Sequence, residues 1–118
     1  MAFKFEKLIV WQKAIELSAF VHHVTRSFPK EELFILTSQI KRAGDSVVLN
    51  ITEGSTLQSD KEFSKFLVMA NRSAMEVIGC LYLAKQRKYI DQTVFTEKYS
   101  RYQNLIIKIQ SLINSLNK

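Results

Sequence analysis

The chain has 118 residues, 47% hydrophobic and 24% charged, with a net charge of +6. A single cysteine, Cys80, excludes an internal disulfide, and three glycines with one proline are too few for the many turns of a β-rich fold. No run approaches the ~18 uninterrupted apolar residues of a membrane span. Residues Met1 to Trp11, interrupted by Lys4, Glu6 and Lys7, lack the apolar core and small-residue cleavage site of a signal peptide. The expectation is one domain over residues 1–118, cytoplasmic and with no membrane partner.

The elements follow in chain order. A first helix is expected from Leu8 to Ser27, stopped at Phe28-Pro29 because proline disfavours helix in the residue before it. A second begins near Glu31, where Glu31 and Glu32 suit a helix N-terminus, and ends at Gly54, read as a left-handed C-cap. The third opens with the capping box Ser59-Asp60-Lys61-Glu62 and runs to about Lys88. The fourth starts at Asp91, a good N-cap, and continues almost to the end. Links this short force antiparallel neighbours, so the fold class is all-α, an antiparallel up-down-up-down four-helix bundle.

Apolar residues recur at steps of three and four, as bundle seams require. The second helix gives Leu33, Leu36, Ile40, Ala43, Val47 and Ile51; the third gives Phe63, Leu67, Ala70, Ala74, Val77, Leu81 and Ala84; the fourth gives Phe95, Tyr99, Tyr102, Ile106, Ile109, Ile113 and Leu116. Further apolar residues, among them Trp11, Phe20, Phe34, Ile35, Leu49, Phe66, Met69, Ile78, Leu105 and Leu112, lie off these stripes. Such a surplus suggests a second buried surface, and self-association is the economical explanation.

The residues of catalysis are missing from the pattern. His22 and His23 are adjacent in a helix, about 100° apart, and neither follows a glutamate by three residues, so they do not form the metal pairs of ferritin-like bundles. Cys80 lies on an apolar helical face with no histidine near it in sequence. No glycine-rich phosphate loop or nucleotide fingerprint occurs. No catalytic residue, metal or cofactor is expected.

One constellation is unusual. Gln39, Arg42, Ser46, Asn50 and Glu53 fall within an arc of about 80° when wound at about 100° per residue. The ordinary outward polar face, Lys41, Asp45 and Thr52, lies elsewhere, so the arc reads as a structural polar strip, part-buried between helices or subunits. Ser73 and Glu76 would face it from the third helix. The sharpest expectation is an Arg42–Glu76 ion pair at matching height, with Glu53 as the competing partner across a subunit interface.

These residues also carry a family resemblance. F-E-K-L-I-V-W-Q-K-A-I-E-L from Phe5 and T-R-S-F-P-K-E-E from Thr25, then L-T-S-Q-I-K-R-A-G-D-S-V-V-L-N-I-T-E-G (Leu36 to Gly54) and K-E-F-S-K-F-L-V-M-A-N-R-S-A-M-E (Lys61 to Glu76), resemble the 23S ribosomal RNA intervening-sequence proteins. The resemblance covers roughly residues 3–90, and the fourth helix matches in character only. It implies a bundle assembled as a homopentamer. That family is in turn similar to a pentameric accessory protein of retroelements that binds a reverse transcriptase and nucleic acid. Thr52, Arg72 and the pair Gly44-Asp45 depart from the family pattern, and Arg72 puts in question how closely the third helix approaches its neighbour.

The functional expectation is a non-enzymatic oligomeric scaffold that binds RNA or a ribonucleoprotein partner; the partners expected are copies of itself, RNA or another nucleic acid, and a nucleic-acid enzyme. The alternative is a protein–protein adaptor with no nucleic-acid binding. Candidate phosphate contacts are Lys61, Lys65, Arg72, Lys85, Arg87 and Lys88, the last three forming the densest run of cations.

Overall fold

In the computed structural model, which describes residues 2–118, four helices carry the chain: α1 Ile9–Val24, α2 Leu36–Ser55, α3 Asp60–Gln86 and α4 Gln92–Leu116. Met1, the first residue of the expected domain, lies outside the described residues. Short 3-10 turns occupy Lys4–Lys7, Thr25–Ser27 and Lys30–Glu32. Each helix packs on the next in sequence and α1 also meets α4, which closes an up-down-up-down four-helix bundle about 43 Å long. The α2–α3 contact is the most extensive and the α1–α4 contact the least.

The caps of α3 and α4 form as their sequences direct. Ser59 Oγ accepts the Glu62 N–H at 3.2 Å, and Asp91 Oδ1 accepts the Val94 N–H at 2.8 Å. The Glu62 carboxylate does not close the box; it turns to Lys65 Nζ at 3.4 Å. α3 stops at a Schellman turn in which Tyr89 N–H reaches Ala84 O at 2.9 Å and Lys88 N–H reaches Lys85 O at 3.0 Å. The turn places Lys88 at φ 65°, a left-handed conformation usually held by glycine.

The seams pack largely as expected. All seven stripe residues of α3, from Phe63 to Ala84, are buried, as are Leu36, Ile40, Ala43, Val47 and Ile51 of α2. By length and composition α3 could cross a membrane, but this apolar stripe is spent on the core between α2 and α4. Two positions differ. Leu105, off the expected stripe, is fully buried on α4, and Leu33, expected on the α2 seam, is half exposed.

Leu33 is displaced because α2 starts five residues later than its acidic residues suggest. Glu32 turns inward, and its Oε1 accepts the Leu36 N–H at 3.4 Å. Ile35 breaks the helical path at φ −120°, ψ −101°. Leu33, Phe34 and Ile35 therefore lie on an exposed corner, with Phe34 89% exposed.

Gly54 is not a left-handed cap. It sits inside the last turn of α2 with negative φ, and the helix runs on to Ser55 with Thr56 as its C-cap. A Cβ there would meet Phe66 Cβ at 2.7 Å and Phe63 Cδ1 at 2.9 Å, so the missing side chain is what lets α2 and α3 approach. Arg72 points outward and does not hinder that approach.

Candidate interaction surfaces

The polar strip lies along the α2–α3 contact. Its centre is half-buried: Ser46 Oγ and Ser73 Oγ share a hydrogen bond of 2.9 Å, and Asn50 Nδ2 donates to Ser46 O at 2.9 Å and to Ser46 Oγ at 3.0 Å. Its ends, Gln39, Arg42, Glu53 and Glu76, are exposed. Arg42 and Glu76 line one cleft with Ser46 and Ser73, so the matching height is right, but the ion pair is not formed. Glu76 Oε2 accepts from Gln39 Nε2 at 3.3 Å instead. Water solvates the exposed guanidinium, so no desolvation penalty forces it onto a carboxylate.

Asp45 and Thr52, expected on a free outward face, are contacts to α1. Asp45 Oδ1 accepts from Ser18 Oγ at 2.8 Å and lies 3.0 Å from His22 Nε2. Thr52 Oγ1 accepts the Trp11 indole N–H at 2.9 Å. Gly44 beside Asp45 packs near Val21 and Tyr102. The departures from the family pattern at 44, 45 and 52 thus belong to the α1–α2 and α2–α4 packing.

The six candidate cations do not form one patch. Lys61 and Lys65 stand at the start of α3 and Lys88 just beyond its end, about 40 Å away at 1.5 Å per residue, with Arg72 exposed between them. Lys85 Nζ lies over the Phe95 ring, 4.1 Å from its centroid. Arg87 Nη1 donates to Glu32 Oε2 at 2.9 Å, and Tyr89 Oη donates to the same oxygen at 2.7 Å. Of the densest run of cations, Arg87 therefore fastens the α1–α2 connection to the end of α3, Lys85 covers a ring of α4, and Lys88 is exposed. The Tyr89 bond, opposed by burial and helped by the Leu36 N–H and Arg87, holds the Glu32 carboxyl below its ordinary range. The same bond raises Tyr89.

Two other groups are sealed in. Burial raises the Cys80 thiol to about 11, which leaves it a poor nucleophile. The Tyr102 hydroxyl is buried with no hydrogen-bond partner among the described residues, and burial followed by the charge of Asp45 raises it strongly. Among the described residues no three His, Cys, Asp or Glu side chains converge as metal ligands would.

The sequence reading passed over the surface between α1 and α4. Two cavities open along their contact. One of about 290 Å³ is lined by Lys13, Glu16, Leu17, Arg101 and Asn104. The other, of about 440 Å³, has a floor that includes Leu8, Val10 and Leu112 and is rimmed by Lys7 and Lys108. Lys98 Nζ lies over the Phe20 ring of α1 at 4.3 Å. The only sequence signal was the spacing of Arg101 and Lys108, two turns apart on one edge of α4.

The sequence profile of the 23S rRNA-intervening sequence protein family matches residues 6–115. Among solved structures the chain is similar to a protein of unknown function from the S23 ribosomal protein family of Bacteroides thetaiotaomicron. The TM-score is 0.82 at 24% identity, covering 89% of this chain and 98% of that one. No curated protein sequence matches. The match, which takes in α4 as well as α1 to α3, places the chain in the 23S rRNA-intervening sequence protein family.

Proposed function

We propose that the protein is a non-enzymatic oligomeric scaffold of the cytoplasm that binds RNA or a ribonucleoprotein partner. The observation that carries the self-assembly is the amount of large apolar surface left in water around α2 and α3. Phe34, Ile35, Leu49 and Met75 are all more than half exposed, and Val68, Met69, Tyr82 and Leu83 are 39–49% exposed. Exposed apolar surface on this scale marks interaction sites. In helical register Leu49 falls beside Met69 across the polar strip, so this face combines apolar area with the exposed Arg42, Glu53 and Glu76.

Five subunits are favoured, a number that rests on the family resemblance. The RNA reading is supported by the net charge of +6 and by the family's association with 23S rRNA. Light scattering at micromolar concentration should find an assembly that Leu49→Glu with Met69→Glu dissociates. A stable species of 13.7 kDa would overturn the assembly. The RNA half is read by anisotropy with an arbitrary single-stranded RNA at low salt. Absence of binding there would leave the protein as a protein–protein adaptor.

A further inference from the structure

We infer that the nucleic-acid contact is made in the groove between α1 and α4, where Lys7, Lys13, Arg101 and Lys108 take the phosphate backbone of one strand. This rests on the RNA-binding reading above and gives it a site on the opposite side of the bundle from the apolar α2–α3 face.

The charge on α4 is segregated. In helical register Lys98, Arg101 and Lys108 fall on the edge facing α1, where the Lys98–Phe20 contact fixes the orientation. The edge facing α3 carries Thr96, Gln103, Ile107, Gln110 and Asn114, with no charge. Across the groove α1 and the turn before it contribute Lys13 and Lys7. Within the groove Glu16 is the opposing charge, and Glu97 at its rim is held by Lys98 at 3.2 Å and Arg101 at 3.6 Å.

Three of the four groove cations are without a carboxylate, and Arg101 reaches Glu97 at 3.6 Å. Among the described residues Lys7, Lys13 and Lys108 have no acidic oxygen within salt-bridge distance; on the α3 side Lys65 and Arg87 are paired and Lys61, Arg72, Lys85 and Lys88 are not, so what sets the groove apart is that its cations face one another across a cleft. Cations of like sign face each other across an open trough, an arrangement a polyanion relieves. Arg101 and Lys108 are seven residues apart, about 10 Å along the helix. That equals about three steps of a stacked strand at roughly 3.4 Å per nucleotide.

The floor decides what part of the strand is held. Leu8, Val10, Leu17 and Leu112 are aliphatic, and the cavity linings contain no aromatic ring on which bases would stack. Contacts are therefore with phosphates, tolerant of sequence and sensitive to salt. An acidic partner helix would satisfy the same cations, and the competitor below separates the two.

The test uses the full-length protein and a fluorescein-labelled single-stranded RNA of mixed sequence, titrated between 50 and 200 mM NaCl. Lys13→Gln/Arg101→Gln/Lys108→Gln should weaken binding at least ten-fold at 50 mM. It should also flatten the slope of log affinity against log salt by about 2, at roughly 0.7 per lost phosphate contact. Lys61→Gln/Lys65→Gln/Arg72→Gln should leave the slope unchanged, and Lys13→Arg/Lys108→Arg should bind as wild type. The reverse ranking of the two triple variants would overturn the groove while leaving RNA binding intact. Wild type that binds no RNA at 50 mM would overturn the RNA-binding reading itself. Polyglutamate that displaces RNA at equal charge concentration would make the site one for an acidic protein and overturn the assignment.

Discussion

Gly54→Ala tests the closest approach in the bundle. The added methyl group would stand 2.7 Å from Phe66 Cβ and 2.9 Å from Phe63 Cδ1, against about 3.5–4.0 Å for carbons at rest. The Phe63 ring can rotate aside, but Phe66 Cβ is fixed to the α3 backbone, so the two helices must part by about 0.8 Å at that height. Forcing a methyl group into a packed contact costs roughly 1–3 kcal/mol, while replacing glycine by alanine in the last turn of a helix returns less than the ~1 kcal/mol of a mid-helix position. The steric term wins, and the expected net loss is about 1–2 kcal/mol. For a chain of this size that lowers the melting temperature by about 4–8 °C. Gly79→Ala is the control. Its Cβ would meet nothing within 4 Å, so the propensity gain stands alone and stability should rise by about 0.5–1 kcal/mol. Both are read by calorimetry at one fixed protein concentration, because assembly makes melting temperature depend on concentration. A Gly54→Ala protein as stable as wild type would refute the claim that this glycine sets the α2–α3 spacing.

Lys88→Gly should stabilise by about 1 kcal/mol, since Lys88 holds a left-handed conformation that costs non-glycine residues about that much; urea denaturation measures it. Tyr102→Phe removes a buried hydroxyl that has no partner among the described residues and should leave stability unchanged or raise it by about 1 kcal/mol. A loss greater than about 1 kcal/mol in the same assay would mean that the hydroxyl is satisfied. Glu32 has its carboxyl pKa depressed, so its contribution is present above the ordinary value of 4.5 and is lost as pH falls through the lower folded value. Glu32→Gln should therefore melt lower than wild type at pH 7, with the gap shrinking toward pH 3; a gap independent of pH would contradict this.

What the sequence determined alone is what depends on neighbours a few residues away. The three-and-four spacing from Phe63 to Ala84 places one face of α3 in the core whatever it packs against, and all seven residues are buried. Ser59 and Asp91 cap their helices because each hydroxyl or carboxylate needs only the amide three residues on. Chain direction followed from the short links between helices. The tertiary structure decided whatever depends on how each helix is rotated against its partners. Gly54 looks like a cap in sequence and becomes a packing contact only because Phe66 arrives opposite it. Arg42 has the right height for Glu76 but not the burial that would enforce a pair. Glu32 draws Arg87 and Tyr89 from 55 and 57 residues away, which ties one cation of the basic run to a carboxylate, and its own bond to the Leu36 N–H accompanies the late start of α2. The α1–α4 groove is the furthest case, since Lys13 and Arg101 meet across most of the chain. Helical periodicity fixes which side chains share a face, but burial and long-range pairing depend on the second surface, which local sequence does not encode.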